Sequence, residues 1–63
     1  MTPAEAVRMA RHHRGWSQTK LATRAQLSRP TVARIEAGQS VSTESLTKVA
    51  RALEHALLMT PTS

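Results

Sequence analysis

Three stretches of the chain repeat one arrangement of apolar and polar positions. "WSQTKL", "LSRPTV" and "VSTESL" each set an apolar residue, a serine, and a second apolar residue four places beyond that serine. This is the spacing of a hydrophobic staple around a serine N-cap, in which the residue before the cap packs on the fourth residue of the helix. Trp16 with Leu21, Leu27 with Val32, and Val41 with Leu46 therefore mark three helix starts, capped by Ser17, Ser28 and Ser42. A fourth start reads "TPAE": Thr2 caps, and Pro3 takes the first helical position, where a missing N–H costs nothing. The pattern predicts helices over about 3–14, 18–25, 29–37 and 43–53. Val7, Ala10, Leu21, Ala22, Ala25, Val32, Ile35, Leu46, Val49, Ala50 and Leu53 follow helical spacing within them and predict one core, which Trp16 and Leu27 close from the loops.

The end of the chain, "LEHALLMTPTS", fits two periods. Read as a strand, His55, Leu57 and Met59 face one way and Ala56, Leu58 and Thr60 the other, with Pro61 stopping the run. A lone strand of this length lacks partners for its backbone groups, so this reading predicts an antiparallel ribbon across a two-fold axis over about residues 55–60, with His55, Leu57, Leu58 and Met59 as dimerisation residues. The competing reading continues the fourth helix, since Leu46, Val49, Ala50, Leu53 and Leu57 keep helical spacing.

Composition narrows the chemistry. The 63 residues suffice for one domain, 1–63, with 54–63 as a tail, and a domain of that size gains from a partner subunit. Cysteine is absent, which removes disulfides and thiol chemistry. The four acids are all Glu and stand singly at Glu5, Glu36, Glu44 and Glu54, so neither two-metal nor paired-carboxylate catalysis is served, and an enzyme is not expected. His12 and His13 are adjacent and diverge on a helix, His55 stands alone, and neither a metal site nor a cofactor is expected. The longest apolar run is too short to cross a bilayer. Nine Lys and Arg give a net charge of +5, which attracts polyanions, nucleic acid first among them. With one Trp and neither Phe nor Tyr, the chain lacks the stacking platform that single strands require.

Only "AQLS" separates the second and third helices. Two short helices joined so tightly form a helix-turn-helix, whose second member enters the DNA major groove. On that third helix Val32 and Ile35 face the core, while Pro30, Ala33, Arg34 and Ala37 fall on the opposite side and Arg29 projects from the first turn. Small residues there let the backbone sink into the groove, and an arginine fork takes guanine O6 and N7 together.

The stretch "RGWSQTKLATRAQLSRPTVARIEAG" resembles the helix-turn-helix of the phage repressor and Cro family, also called the XRE family, and the likeness runs from Arg8 to about Leu53. The resemblance implies an all-α bundle of four to five helices that binds double-stranded DNA sequence-specifically, as a homodimer on a palindromic operator, in the cytoplasm with the nucleoid. Carried over by position, Arg29, Pro30, Thr31 and Arg34 are expected to contact bases, and Gln18, Ser17, Ser28, Gln39 and Ser40 to contact phosphates, with Gln18 also bracing the recognition helix. Arg11 and Glu36 match a structural pair between the first and third helices. The sequence departs from the family at Gln26, where the turn usually has Gly and favours positive φ, and at Glu54, where Gly ordinarily ends the fourth helix. Arg8 and Arg14 are left between phosphate contact and no contact, and Lys20, Arg24, Lys48 and Arg51 read as solvated helix charges.

The leading function is a transcriptional regulator, most simply a dimeric repressor. An alternative is the antitoxin of a type II toxin-antitoxin pair, which binds DNA in the same way, also holds a toxin protein, and in its branch of the family carries a strand after the fourth helix. A protein-interaction module or a membrane-surface peptide would use the charge alone. The capped helices oppose the peptide, and the Arg29 and Arg34 face opposes the module.

Overall fold

The computed structural model describes the backbone of residues 2–59 and the side chains of residues 2–54. Its elements, in chain order, are the helices α1 (Pro3–His13), α2 (Gln18–Ala25), α3 (Arg29–Glu36) and α4 (Thr43–Met59). All four starts are capped by the residues that the sequence pattern singles out. Thr2 Oγ1 accepts from Glu5 N–H at 3.2 Å, Ser17 Oγ from Lys20 N–H at 3.0 Å, Ser28 Oγ from Thr31 N–H at 3.3 Å, and Ser42 Oγ from Ser45 N–H at 3.1 Å. Each cap satisfies one N–H that the helix itself leaves unpaired.

The ends of α1, α2 and α3 share one device. The N–H of Trp16 returns to Arg11 C=O, that of Leu27 to Ala22 C=O, and that of Gln39 to Arg34 C=O, the long backward bond of a Schellman motif. Such a bond needs a residue with positive φ just before its donor. Gly15 (φ 69°) and Gly38 (φ 78°) supply it for α1 and α3, and Gln26 (φ 58°) for α2. Gln26 thus adopts the left-handed conformation that the family pattern assigns to glycine.

Leu21, Ala22, Ala25, Val32, Ile35, Val49 and Leu53 form the buried core, with Leu21, Val32 and Val49 fully enclosed. Val7, Ala10, Trp16, Leu27, Val41 and Leu46 pack around it. One expected core position is corrected: Ala50 is exposed, and Ala52 packs against the core instead. The inward face of α4 is centred on Val49 and Leu53, and rotation about the helix axis carries residue 50 out of it.

The strand reading of the tail is overturned. Helix α4 runs through Met59, so residues 55–59 are helical and no intersubunit ribbon starts at His55. A helix pairs its own backbone groups, whereas an added strand would need a second chain to do so. From Thr43 to Met59 no Gly or Pro interrupts the run, and Glu54 in place of glycine gives the helix no reason to stop. Among the described residues there is neither a strand nor a fifth helix. The side chains of His55, Leu57, Leu58 and Met59, and Thr60 as a whole, lie outside the described residues.

Candidate nucleic-acid interface

Helices α2 and α3 pack closely at the turn Gln26–Ser28, with Leu21, Ala22 and Ala25 of α2 and Val32 and Ile35 of α3 buried between them. This fixes the outward side of α3. Arg29, Pro30 and Arg34 are exposed on it, Thr31 and Ala33 are half-buried, and Ala37 is exposed where the helix ends. Pro30 sits in the first turn, where its missing N–H takes no bond from the helix. The Ser28 and Thr31 hydroxyls lie 2.8 Å apart, so both are engaged locally at the head of α3.

Beneath this surface lies a connected set of polar side chains. Arg11, on α1, is buried and donates through Nε to Glu36 Oε2 at 2.7 Å and through Nη2 to Glu36 Oε1 at 2.9 Å. Its Nη1 donates to the Trp16 carbonyl at 2.8 Å, which ties the α1–α2 turn to the same group. Arg11 Nη2 also lies 3.2 Å from His12 Nε2, and because a guanidinium only donates, that ring nitrogen accepts. Burial pushes the Glu36 carboxyl up, but the hydrogen bonds from Arg11 and Gln18 and the charge of Arg11 outweigh it, and the group is held below its ordinary 4.5. For Arg11 the hydrogen bond to Glu36 dominates over burial and raises the pKa further.

Gln18 joins this buried pair to the surface. Its Nε2 donates to Glu36 Oε1 at 3.3 Å, and its Oε1 accepts from Arg29 Nη1 at 3.1 Å. Of the residues expected at the interface, Gln18 and Arg29 are therefore brought into direct contact. Arg34 stands apart from them on the exposed side, and the two described ion pairs, Arg11 with Glu36 and Lys48 with Glu44, do not include it. Ser17 and Ser28 are exposed with their oxygens committed to capping, while Gln39 and Ser40 are exposed in the loop between α3 and α4.

Several basic residues have structural roles that the sequence reading did not assign. Arg8 Nη1 donates to the Glu36 carbonyl at 3.3 Å, and Arg14 donates to the carbonyls of Ala10 at 2.9 Å and Leu53 at 3.0 Å. Both therefore serve helix carbonyls. Lys20 and Arg24, read as solvated charges, stand 5.8 and 5.6 Å from the centre of the Trp16 ring. Their spacing on α2, one turn apart just after a tryptophan at the staple position, was the available signal. Among the described residues no cluster of metal-ligating side chains exists, and no helix is long and apolar enough to cross a membrane.

A sequence profile of the helix-turn-helix family matches residues 7–54, well over half of the chain and the whole of this arrangement. The chain belongs to that family, in its XRE-type branch. Members are DNA-binding transcription regulators, and this chain is one. Comparison with curated proteins and with solved structures gave no significant match.

Proposed function

We propose that this regulator is a repressor that binds a palindromic operator as a homodimer. The observation that carries the reading is the exposed face of α3, where Arg29, Pro30 and Arg34 flank small or half-buried neighbours on a helix whose other side is fixed in the core. On this reading Arg29 and Arg34 read base edges, with Pro30 and Thr31 against the groove floor, and Gln18, Ser17, Ser28, Gln39 and Ser40 meet phosphates. A surplus of positive charge supports the electrostatic part of binding.

The homodimer is inferred from α4. The helix continues six residues beyond Leu53, roughly 9 Å at 1.5 Å per residue, through the apolar sequence "ALLM". An apolar sequence of this kind favours self-association in a domain this small, and a two-fold pair would space two α3 helices about one DNA turn, roughly 34 Å, apart. The antitoxin alternative differs from the repressor by its protein partner, not by its fold; the strand that its branch of the family carries after the fourth helix is replaced here by helix through Met59, and no observation favours it over the simpler repressor.

The test is selection of duplexes from a random-sequence pool, followed by sedimentation of the free and bound protein. Enrichment of an inverted repeat bound by two chains supports the proposal. Enrichment of a single unrepeated site by a monomer sinks the dimeric repressor.

A further inference from the structure

The hydrogen bonds from Arg11 to Arg29 have a direction. Glu36, as a carboxylate, only accepts, and Arg11 and Arg29 only donate. Between them Gln18 has one donor end and one acceptor end, 3.3 Å from Glu36 Oε1 and 3.1 Å from Arg29 Nη1 respectively. Only one orientation of the amide satisfies both neighbours. With Nε2 toward Glu36 and Oε1 toward Arg29 both bonds form, and a flipped amide would set oxygen against carboxylate and N–H against guanidinium. The buried pair therefore presets toward the first residue of α3 the same end of Gln18 that Arg29, a donor only, requires.

We propose that Glu36 is a positioning residue for base reading: acting through Gln18, it holds Arg29 on the DNA-facing side as a donor-only probe and sets a preference for guanine over adenine at one base pair. The inference rests on the DNA-reading surface proposed above. Guanine offers two acceptors, O6 and N7, to the major groove, whereas adenine offers one acceptor beside a donor. An arginine held by one Nη1 hydrogen keeps its other N–H groups free for the two acceptors. Unheld, the same side chain samples many rotamers, meets phosphates as readily as bases, and discriminates less, because ordering it is then charged to binding. Arg11 belongs to the same device, since its two bonds fix the carboxylate oxygens that Gln18 addresses.

The experiment starts from a duplex that the wild-type protein enriches from a random pool, with the base pair read by Arg29 located by Arg29→Ala. Competition binding then compares guanine and adenine at that pair for wild type, Gln18→Leu, and the double variant Arg11→Met/Glu36→Leu, which removes both buried charges together. Gln18→Leu leaves the ion pair intact and so remains folded even where the double variant does not. The expected result is that each folded variant loses preference at that pair by about tenfold or more, as Arg29→Ala does, while preference at the pair read by Arg34 is kept. Adding Arg29→Ala to either variant then produces no further loss at that pair. Preference unchanged in folded Gln18→Leu, or in the folded double variant, overturns the positioning role and leaves the pair purely structural. Failure of the wild type to enrich any sequence overturns the DNA-reading surface itself, and this inference with it.

Discussion

Arg11 meets Glu36 with two parallel hydrogen bonds, 2.7 and 2.9 Å long, in surroundings that leave the two side chains only 10% and 5% exposed. At that depth the charges owe their tolerance to each other. Glu36→Ala or Arg11→Ala alone strands a buried charge and is expected to cost about 3 to 5 kcal/mol. A core this small rarely supplies more than about that in total, so the single variants should be largely unfolded at 25 °C. Arg11→Met/Glu36→Leu should melt close to wild type. Thermal melts followed by circular dichroism decide the matter, and small additive losses would mark a pair with little mutual dependence.

The same pair sets the response to acid. The folded-state pKa of Glu36 is depressed below 4.5, so its contribution is fully present above that value and is lost as pH falls through the lower folded-state value. Denaturant melts should show little change from this group between about pH 5 and 7 and a decline below about pH 4.5. Arg11→Met/Glu36→Leu should decline less. An equal acid slope in both proteins would assign the sensitivity elsewhere.

Gln26 is the one described non-glycine residue with positive φ, at 58°. A left-handed residue with a Cβ costs roughly 1 to 2 kcal/mol, and glycine returns part of that gain through its greater unfolded-state freedom. Gln26→Gly is expected to stabilise by about 0.5 to 1 kcal/mol, and Gln26→Val to destabilise, in urea titrations. A loss of stability in Gln26→Gly would show that the glutamine side chain outweighs its backbone strain.

Sequence and structure agree where the signal is local. Caps at Thr2, Ser17, Ser28 and Ser42 are decided by residues within one turn of each other, and all four form. The tail was ambiguous because Leu57 suits a period of two and a helical period alike, and only the continuity of α4 separates them. Ala50 was misplaced because an alanine adds little to the choice of face, which the larger Val49 and Leu53 settle. The family likeness implies that Gln18 braces the third helix, but that its partner there is Glu36 was not legible, since the bond joins residues 18 positions apart and exists only once α1, α2 and α3 have packed.

Arg34→Ala is expected to weaken specific binding by about 1 to 3 kcal/mol and relax preference at one base pair, whereas Gln39→Ala should weaken all sequences alike. A gel-shift series over operator variants distinguishes them. Equal losses by Arg34→Ala on specific and random DNA would demote Arg34 to a phosphate contact.

Truncation after Leu53 removes the last six residues of α4, and the Leu53 oxygen that Arg14 meets at 3.0 Å becomes part of the new terminal carboxylate, which still accepts from it. The shortened chain should fold, sediment as a monomer, and bind a full operator at least about 100-fold more weakly, because the second half-site no longer benefits from effective concentration. A dimer with unchanged affinity would place the interface elsewhere.

Trp16 is the chain's only tryptophan, and tyrosine is absent, so ultraviolet emission at long excitation wavelengths arises from one known position. Its ring packs on the core beneath Lys20 and Arg24, and its carbonyl is held by Arg11. The protein thus carries a native optical gauge of the α1–α2 junction, and a shift of that emission to the red in any variant reports loosening of the scaffold with no label attached.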